Sequence, residues 1–390
     1  MHPEFSRTKP SILLLGSQMA TGGAQRVLLD QALWFHQQGY PVTAAFFHDR
    51  EGLHEQWQAE SPFPIVNLKA WRTTGGLRNI FSLPPGLWRA WRLMHRQRFT
   101  VVECFTQHAN ILGIPLARLA GIPVRIASNH GRLESFPAVL RRFQNWLINR
   151  GLAQRLVVVS RHVQTVAQEE GIFPERVVII RNGIQPSPVP GSQDRDRIRQ
   201  SPELDLEPGK LLILNVGRLR EQKGQAYLLE AVPLVLERHP GMVFAIAGDG
   251  PLRNDLEKQA RQLGIWDAVR FLGNREDIPQ LLAAADVFVL PSLSEGLPIA
   301  LLEAMQAGLP SVVTHLEGIE EVIIDQETGL VVPAADSPAL AQALTTLLGD
   351  SAMRGRLGMN ARELIAAEYT VDHMCLQYES LFQSIMNARY

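Results

Sequence analysis

Two doubly wound α/β domains in series are what this 390-residue sequence predicts. Short β-branched runs alternate with helical stretches along the whole chain. The runs are apolar throughout, not at every second residue, as in parallel strands covered on both faces. A charged, Pro- and Gly-rich interruption at residues 184–210 then divides the alternation into two series.

In the first series, strands are expected over residues 12–15, 42–47, 65–68, 101–105, 125–128, 156–160 and 177–181, with helices such as 24–38 and 136–149 between them. In the second, they are expected over 211–216, 243–247, 269–272, 287–290, 311–314 and 330–332. After Pro333 only helical patterns remain, at 337–348, 351–369 and 371–388. The interruption holds Pro186, Pro188, Pro190, Gly191, Pro202, Pro208 and Gly209 without an apolar period, so it reads as a linker. The expected divisions are therefore a domain at 1–183, a linker at 184–210, a domain at 211–370 and a final helix at 371–390. Ligands of such sheets bind outside the carboxyl ends of the strands, so two facing domains predict a central cleft.

Hydrophobic residues at 46% and charged residues at 20% exclude a disordered, collagen-like or coiled-coil chain. Cys104 and Cys375 fit neither a disulfide framework nor a cysteine-rich zinc site and predict a reducing, cytoplasmic setting. The longest apolar runs fall far short of the roughly 20 residues that span a bilayer, and the polar first ten residues predict no signal peptide.

The net charge of −1 hides an asymmetry. Residues 1–182 carry 21 Lys and Arg against 11 Asp and Glu, a net +10, and the remainder carries 17 against 28, a net −11. Lys69, Arg72, Arg78, Arg89, Arg92, Arg96 and Arg98 lie in a stretch without acidic residues that also holds Trp71, Trp88 and Trp91. Such a stretch suits a lipid headgroup layer and predicts peripheral contact with an anionic membrane through residues 69–98; it equally suits tryptophans packed on a sheet beneath solvated arginines. No nucleic-acid partner is expected.

Four segments carry candidate chemistry. Gly22 and Gly23 precede the first helix, where a backbone without Cβ atoms meets a helix amino end; the loop fits an anion site or a simple turn, and is neither a dinucleotide fingerprint nor a Walker A loop. Arg218 ends the strand at 211–216 and Lys223 opens the next helix, so the two cations can converge on a diphosphate or stand in a solvated loop. Glu295 lies in the loop before Gly296, Leu297 and Pro298, with Pro298 in the first helical turn. Glu303 follows among apolar neighbours, where ribose hydroxyls or an internal ion pair would satisfy its carboxylate. His130 ends a first-domain strand, fit to hydrogen-bond a sugar hydroxyl, to hold charge near a reacting centre, or to serve structurally.

Taken in order, these segments resemble the retaining glycosyltransferases of family four. The resemblance rests on Gly22-Gly23-Ala24-Gln25-Arg26, His130, Gly217-Arg218 with Lys223-Gly224, Gly248-Asp249-Gly250-Pro251, Glu295 and Glu303 seven residues apart by intervening spacing, and Glu327-Thr328-Gly329-Leu330-Val331-Val332-Pro333. It covers nearly the whole chain, although the stretch from Arg26 to His130 offers no motif to compare.

The resemblance implies the GT-B fold of two Rossmann-like domains, with the last helix crossing back onto the first. It implies that Arg218 and Lys223 bind the diphosphate of a nucleotide sugar and Glu303 the ribose. Glu295 and the backbone of Gly296, Leu297 and Pro298 would hold the donor sugar, His130 would contact it from the opposite domain, and Gly22 and Gly23 would approach the phosphate and acceptor. No metal and no cofactor is then expected, UDP is the default carrier, and the acceptor is a glycan or lipid-linked precursor of cell-surface polysaccharide. A rival metal motif, Asp194-Arg195-Asp196, lies in the linker with no strand leading into it. A sugar-nucleotide epimerase of the same fold and a non-catalytic nucleotide-sugar binder are the alternative readings.

Overall fold

A computed structural model describes residues 9–20, 22–71, 79–130, 137–186, 192–295 and 297–388. Gly296, and Arg72 and Arg78 of the basic stretch, lie outside the described residues. The chain divides into two units: Met1–Gly183 together with Val371–Tyr390, and Ile184–Thr370.

The first unit is a seven-stranded parallel sheet in the order β3-β2-β1-β4-β5-β6-β7. Its strands are β1 Ile12–Met19, β2 Val42–Asp49, β3 Ile65–Asn67, β4 Val101–Phe105, β5 Val124–Asn129, β6 Arg155–Val158 and β7 Val177–Ile179. The intervening helices are α1 Gly23–Gln37, α2 His54–Glu60, α3 Asn79–Gln97, α4 Gln107–Leu119, α5 Ala138–Asn149 and α6 Arg161–Glu169. Ile12 to Leu15 on β1 and Val101 to Phe105 on β4 are buried on both faces, which is why these runs lack polar alternation. At roughly 1.5–3 kcal/mol for each large aliphatic side chain fully buried, such strands dominate the stability of the unit.

The second unit is a six-stranded parallel sheet in the order β10-β9-β8-β11-β12-β13. It begins with helix α7 Ser192–Arg199 and contains β8 Leu212–Val216, α8 Gln225–Arg238, β9 Val243–Ala247, α9 Arg253–Gln262 and β10 Val269–Gly273. The chain continues through α10 Ile278–Ala284, β11 Val287–Leu290, α11 Ile299–Gln306, β12 Ser311–Thr314 and β13 Gly329–Val332, and closes with α12 Ser337–Gly349 and α13 Ser351–Glu368. In both sheets the order reverses direction once, between β1 and β4 and between β8 and β11. Those reversals are where open parallel sheets hold ligands at their carboxyl ends.

The final helix, α14 Val371–Asn387, belongs to the first unit and packs on α1. Phe382 stacks on Phe35 with ring centroids 5.6 Å apart, and Trp34 Nε1 donates to Asp372 Oδ1 at 2.5 Å. Its Tyr378 and Cys375 are fully buried. They stand over β4, where Glu103 is fully buried and accepts a 2.7 Å hydrogen bond from Gln31 Nε2. Burial pushes the Glu103 carboxyl up to about 7, against the opposing pull of the Gln31 donor.

The expected linker is a correction. Much of 192–210 is built into the second unit: Arg195 Nη2 and Arg199 Nη1 meet the Asp286 carboxylate at 2.5 and 3.0 Å, and Leu204 and Leu206 are buried. Asp286 in turn accepts from the backbone N–H of Leu212 at 2.8 Å, tying α7 to the start of β8. The helix is fixed by ion pairs with a residue far along the chain, which no local apolar period reveals. The Asp194-Arg195-Asp196 triplet lies on this helix, its arginine committed to Asp286.

Candidate active site

In the second unit, the loops after β8 and β11 meet at the strand-order reversal. Gly217 and Arg218 follow β8, and a short 3-10 helix Glu221–Lys223 leads to Gly224, which starts α8 in the left-handed conformation at φ 64°. A Cβ at Gly224 would stand 1.9 Å from the Pro291 carbonyl oxygen, so both the positive φ and the contact with the β11 loop require glycine. A Cβ at Gly248, after β9, would stand 2.0 Å from the Gly217 carbonyl oxygen, and Leu219 N–H donates to the Asp249 carbonyl at 3.0 Å. These contacts fix the Arg218 loop between its neighbours.

Lys223 runs its aliphatic stem against Gly217 and donates from Nζ to Glu295 Oε1 at 2.6 Å. The same oxygen accepts from Ser292 Oγ at 2.6 Å, and Thr314 Oγ1 donates to the Ser292 carbonyl. Gln225 Nε2 donates to the Arg218 carbonyl at 3.2 Å. The fold therefore brings the Arg218 loop, Lys223 and Glu295 together. It pairs Lys223 with Glu295, whereas the sequence reading gave them separate ligands. An ammonium carries three donors, so Lys223 can keep Glu295 and still donate to an arriving anion.

Leu297 and Pro298 are buried, and Pro298 stands just outside α11 as its cap. Glu303 is half-buried, on the less buried side of α11 with Ile299 and Ala300, while Leu301, Leu302 and Met305 turn inward. The carboxylate thus avoids the apolar face that the sequence suggested for it.

In the first unit, Gly22 has extended backbone at φ 177°, and a Cβ there would meet only the Gln25 side chain, so the fold itself does not demand glycine. Gly23 is the first residue of α1. His130 follows β5, its ring stacked on Phe105 with centroids 4.8 Å apart. Nδ1 lies 2.8 Å from Asn182 Oδ1 and Nε2 lies 3.2 Å from Ser128 Oγ. Burial lowers the imidazole to about 4 despite the Asn182 bond, so it is neutral at pH 7 and Nδ1 is the natural donor to Asn182. The structure thus corrects the idea of His130 as a charge holder.

Sequence reasoning missed Ser292 and Asn182, which orient Glu295 and His130; each is one polar residue in a loop, with no spacing to single it out. It also missed Thr106, which follows β4 at φ 71° and donates from Oγ1 to Ser17 Oγ at 3.0 Å. A non-glycine residue held at positive φ beside the β1–β4 reversal is strain located where ligands bind. Residue identity gives no sign of it.

Residues 21–187 match the family described as Glycosyltransferase Family 4, and residues 195–364 match the one described as Glycosyl transferases group 1. An uncharacterized glycosyltransferase of Methanocaldococcus jannaschii is 33% identical over 299 residues, 74% of this chain and 76% of that protein. The UDP-Gal:alpha-D-GlcNAc-diphosphoundecaprenol alpha-1,3-galactosyltransferase of Escherichia coli is 28% identical over 291 residues, 72% of this chain and 74% of that one. Among solved structures, Anabaena HepE in complex with UDP and glucose superposes with a TM-score of 0.83 at 24% identity, over 96% of this chain and 100% of that one, a likeness of fold.

Proposed function

Because this chain belongs to the family-four glycosyltransferases, we propose that it moves a hexosyl group, with retention and without a metal, from a nucleotide diphosphate sugar to a glycan or lipid-linked acceptor. UDP is the proposed carrier, and cell-surface polysaccharide or glycolipid assembly the proposed setting. The reading is supported by the E. coli relative, whose name specifies a UDP-sugar donor and a diphosphoundecaprenol acceptor.

The observation that carries the reading is the grouping of the Arg218 loop, Lys223 and Glu295 at the strand-order reversal of the second sheet. Departure of a nucleoside diphosphate builds negative charge on its phosphates, and prepositioned cations there are worth on the order of 3 kcal/mol each at the transition state. Arg218 and Lys223 supply them. Glu295, held by Ser292, orients the donor sugar together with Gly296, Leu297 and Pro298, and Glu303 binds the ribose hydroxyls. In the first unit, Gly22, Gly23 and His130 face substrate groups, His130 as a neutral hydrogen-bonding ring. With retention, the acceptor attacks on the face the diphosphate leaves, and a departing phosphate oxygen takes the acceptor proton, so no protein base is assigned.

The test is a panel of nucleotide sugars, with nucleoside diphosphate release measured with and without lipid extract and with a chelator. Release from one UDP-sugar, stimulated by lipid, insensitive to chelator and giving a product of unchanged anomeric configuration, is expected. Isomerised donor without diphosphate release would make the protein an epimerase, and no turnover of any donor would make it a binder. For Glu303, the change Glu303→Gln should weaken UDP binding in calorimetry roughly tenfold while ligand-free melting stays nearly unchanged, as the loss of one charged hydrogen-bond acceptor requires. Equal affinity, or a collapse of ligand-free stability, would make Glu303 a structural partner instead.

A further inference from the structure

Where α4 packs against β5 and α5, three amide side chains are buried together: Asn110 on α4, Asn129 at the end of β5 and Gln144 on α5, each at most 4% exposed. Gln107, equally buried, lies one turn before Asn110 on the same side of α4. Asn110 is the hub. Its Nδ2 donates to the Ser128 carbonyl at 3.1 Å, to Asn129 Oδ1 at 3.1 Å and to Gln144 Oε1 at 3.2 Å. The Ser128 carbonyl also accepts from the Thr106 N–H at 3.0 Å. The start of α4 therefore grips the last residues of β5 through both backbone and side chain.

The next residue along the chain is His130. Its ring stacks on Phe105, its Nδ1 meets Asn182, and its Nε2 lies 3.2 Å from the hydroxyl of Ser128, which donates to the Cys104 carbonyl. With the Nδ1 hydrogen on Asn182, Nε2 is the acceptor of the ring. Where that acceptor stands depends on the backbone of Ser128 and Asn129, which is what Asn110 holds.

Stability does not ask for this arrangement. Asn110 Oδ1, Asn129 Nδ2, Gln144 Nε2 and both side-chain polar atoms of Gln107 have no hydrogen-bond partner among the described residues. A partly satisfied buried network is less favourable than apolar side chains of the same volume. What amides supply and leucines would not is direction, because a hydrogen bond fixes both a distance and an angle.

We propose that Asn110, braced by Gln144, is a positioning residue of the transfer reaction, holding the end of β5 so that the His130 ring stays on Phe105 and Asn182 with Nε2 set to accept from a substrate hydroxyl. Asn110 touches no substrate and acts through His130, so the proposal rests on the role given to His130 above.

The test uses the full chain and the paired variant Asn110→Leu with Gln144→Met, which replaces both amides by apolar side chains of similar size. The variant should melt at or above the parent's temperature and bind UDP, held by residues of the second unit, within about twofold of the parent. Its kcat/KM for transfer should nonetheless fall roughly tenfold or more, as misplacement of a substrate-positioning group does. His130→Ala should bring a loss of its own, and adding the pair to it should cost no more than about twofold further, because both act through one ring. NMR on nitrogen-labelled histidine should show His130 as one Nδ1–H tautomer in the parent and as a mixture of tautomers in the paired variant. A His130 spectrum identical in the two proteins overturns the proposal without reference to any donor. Where His130→Ala slows transfer and the pair does not, or the two losses simply add, the proposal alone fails and the amides are packing. Where His130→Ala has no effect, the reading of His130 fails and the proposal with it.

Discussion

Replacing Lys223 by Ala should lower kcat/KM for transfer by roughly 100-fold or more, about 2.7 kcal/mol at the transition state, and Arg218→Ala should do the same. The loss at Lys223 has two sources that can be separated. The ammonium no longer meets the departing diphosphate, and Glu295, whose side chain is only 9% exposed, loses its cation and is held by Ser292 alone. Lys223→Arg restores the charge and should recover part of the rate. Glu295→Gln, which keeps the Ser292 contact without the ion pair, should disturb donor-sugar binding while leaving the diphosphate cations in place. Steady-state kinetics on folded variants decides the matter: unchanged kcat/KM in both alanine variants would remove these cations from the mechanism.

Glu103→Gln should stabilise the protein in alkaline buffer and leave it nearly unchanged in acid. The carboxyl titrates at an ordinary 4.5 when unfolded and at about 7 in the native protein. Below the lower value both states are protonated and burial exacts no ionisation penalty. As pH rises between the two values the unfolded chain releases its proton while the native carboxyl retains it, so stability falls, and the deficit is complete above about 7. The full difference amounts to about 3 kcal/mol. Denaturant titrations of parent and variant should therefore agree near pH 4 and diverge in the variant's favour near pH 8. A pH-independent difference would mean that the carboxyl is already compensated in its ionised form. The position matters because Gln31 of α1 and Tyr378 of α14 both face this carboxyl, so the cluster helps seat the final helix.

Two parallel-sheet domains and the thirteen strands found among the described residues were legible as short apolar runs, because the central strands, buried on both faces, must be continuously apolar whatever their neighbours are, and the GT-B arrangement followed from the family resemblance. Arg218, Lys223 and Glu295 stood out in the loops after such runs, at the carboxyl ends where ligands bind, and Glu303 by its apolar neighbours on the helix that follows. How those residues are partnered was not legible in the sequence. The Lys223–Glu295 pair, the Ser292 hydroxyl beneath it and the neutral His130 clasped by Asn182 are contacts between distant segments, governed by burial and distance. For the same reason the stretch read as a linker became α7, held by Asp286 far along the chain.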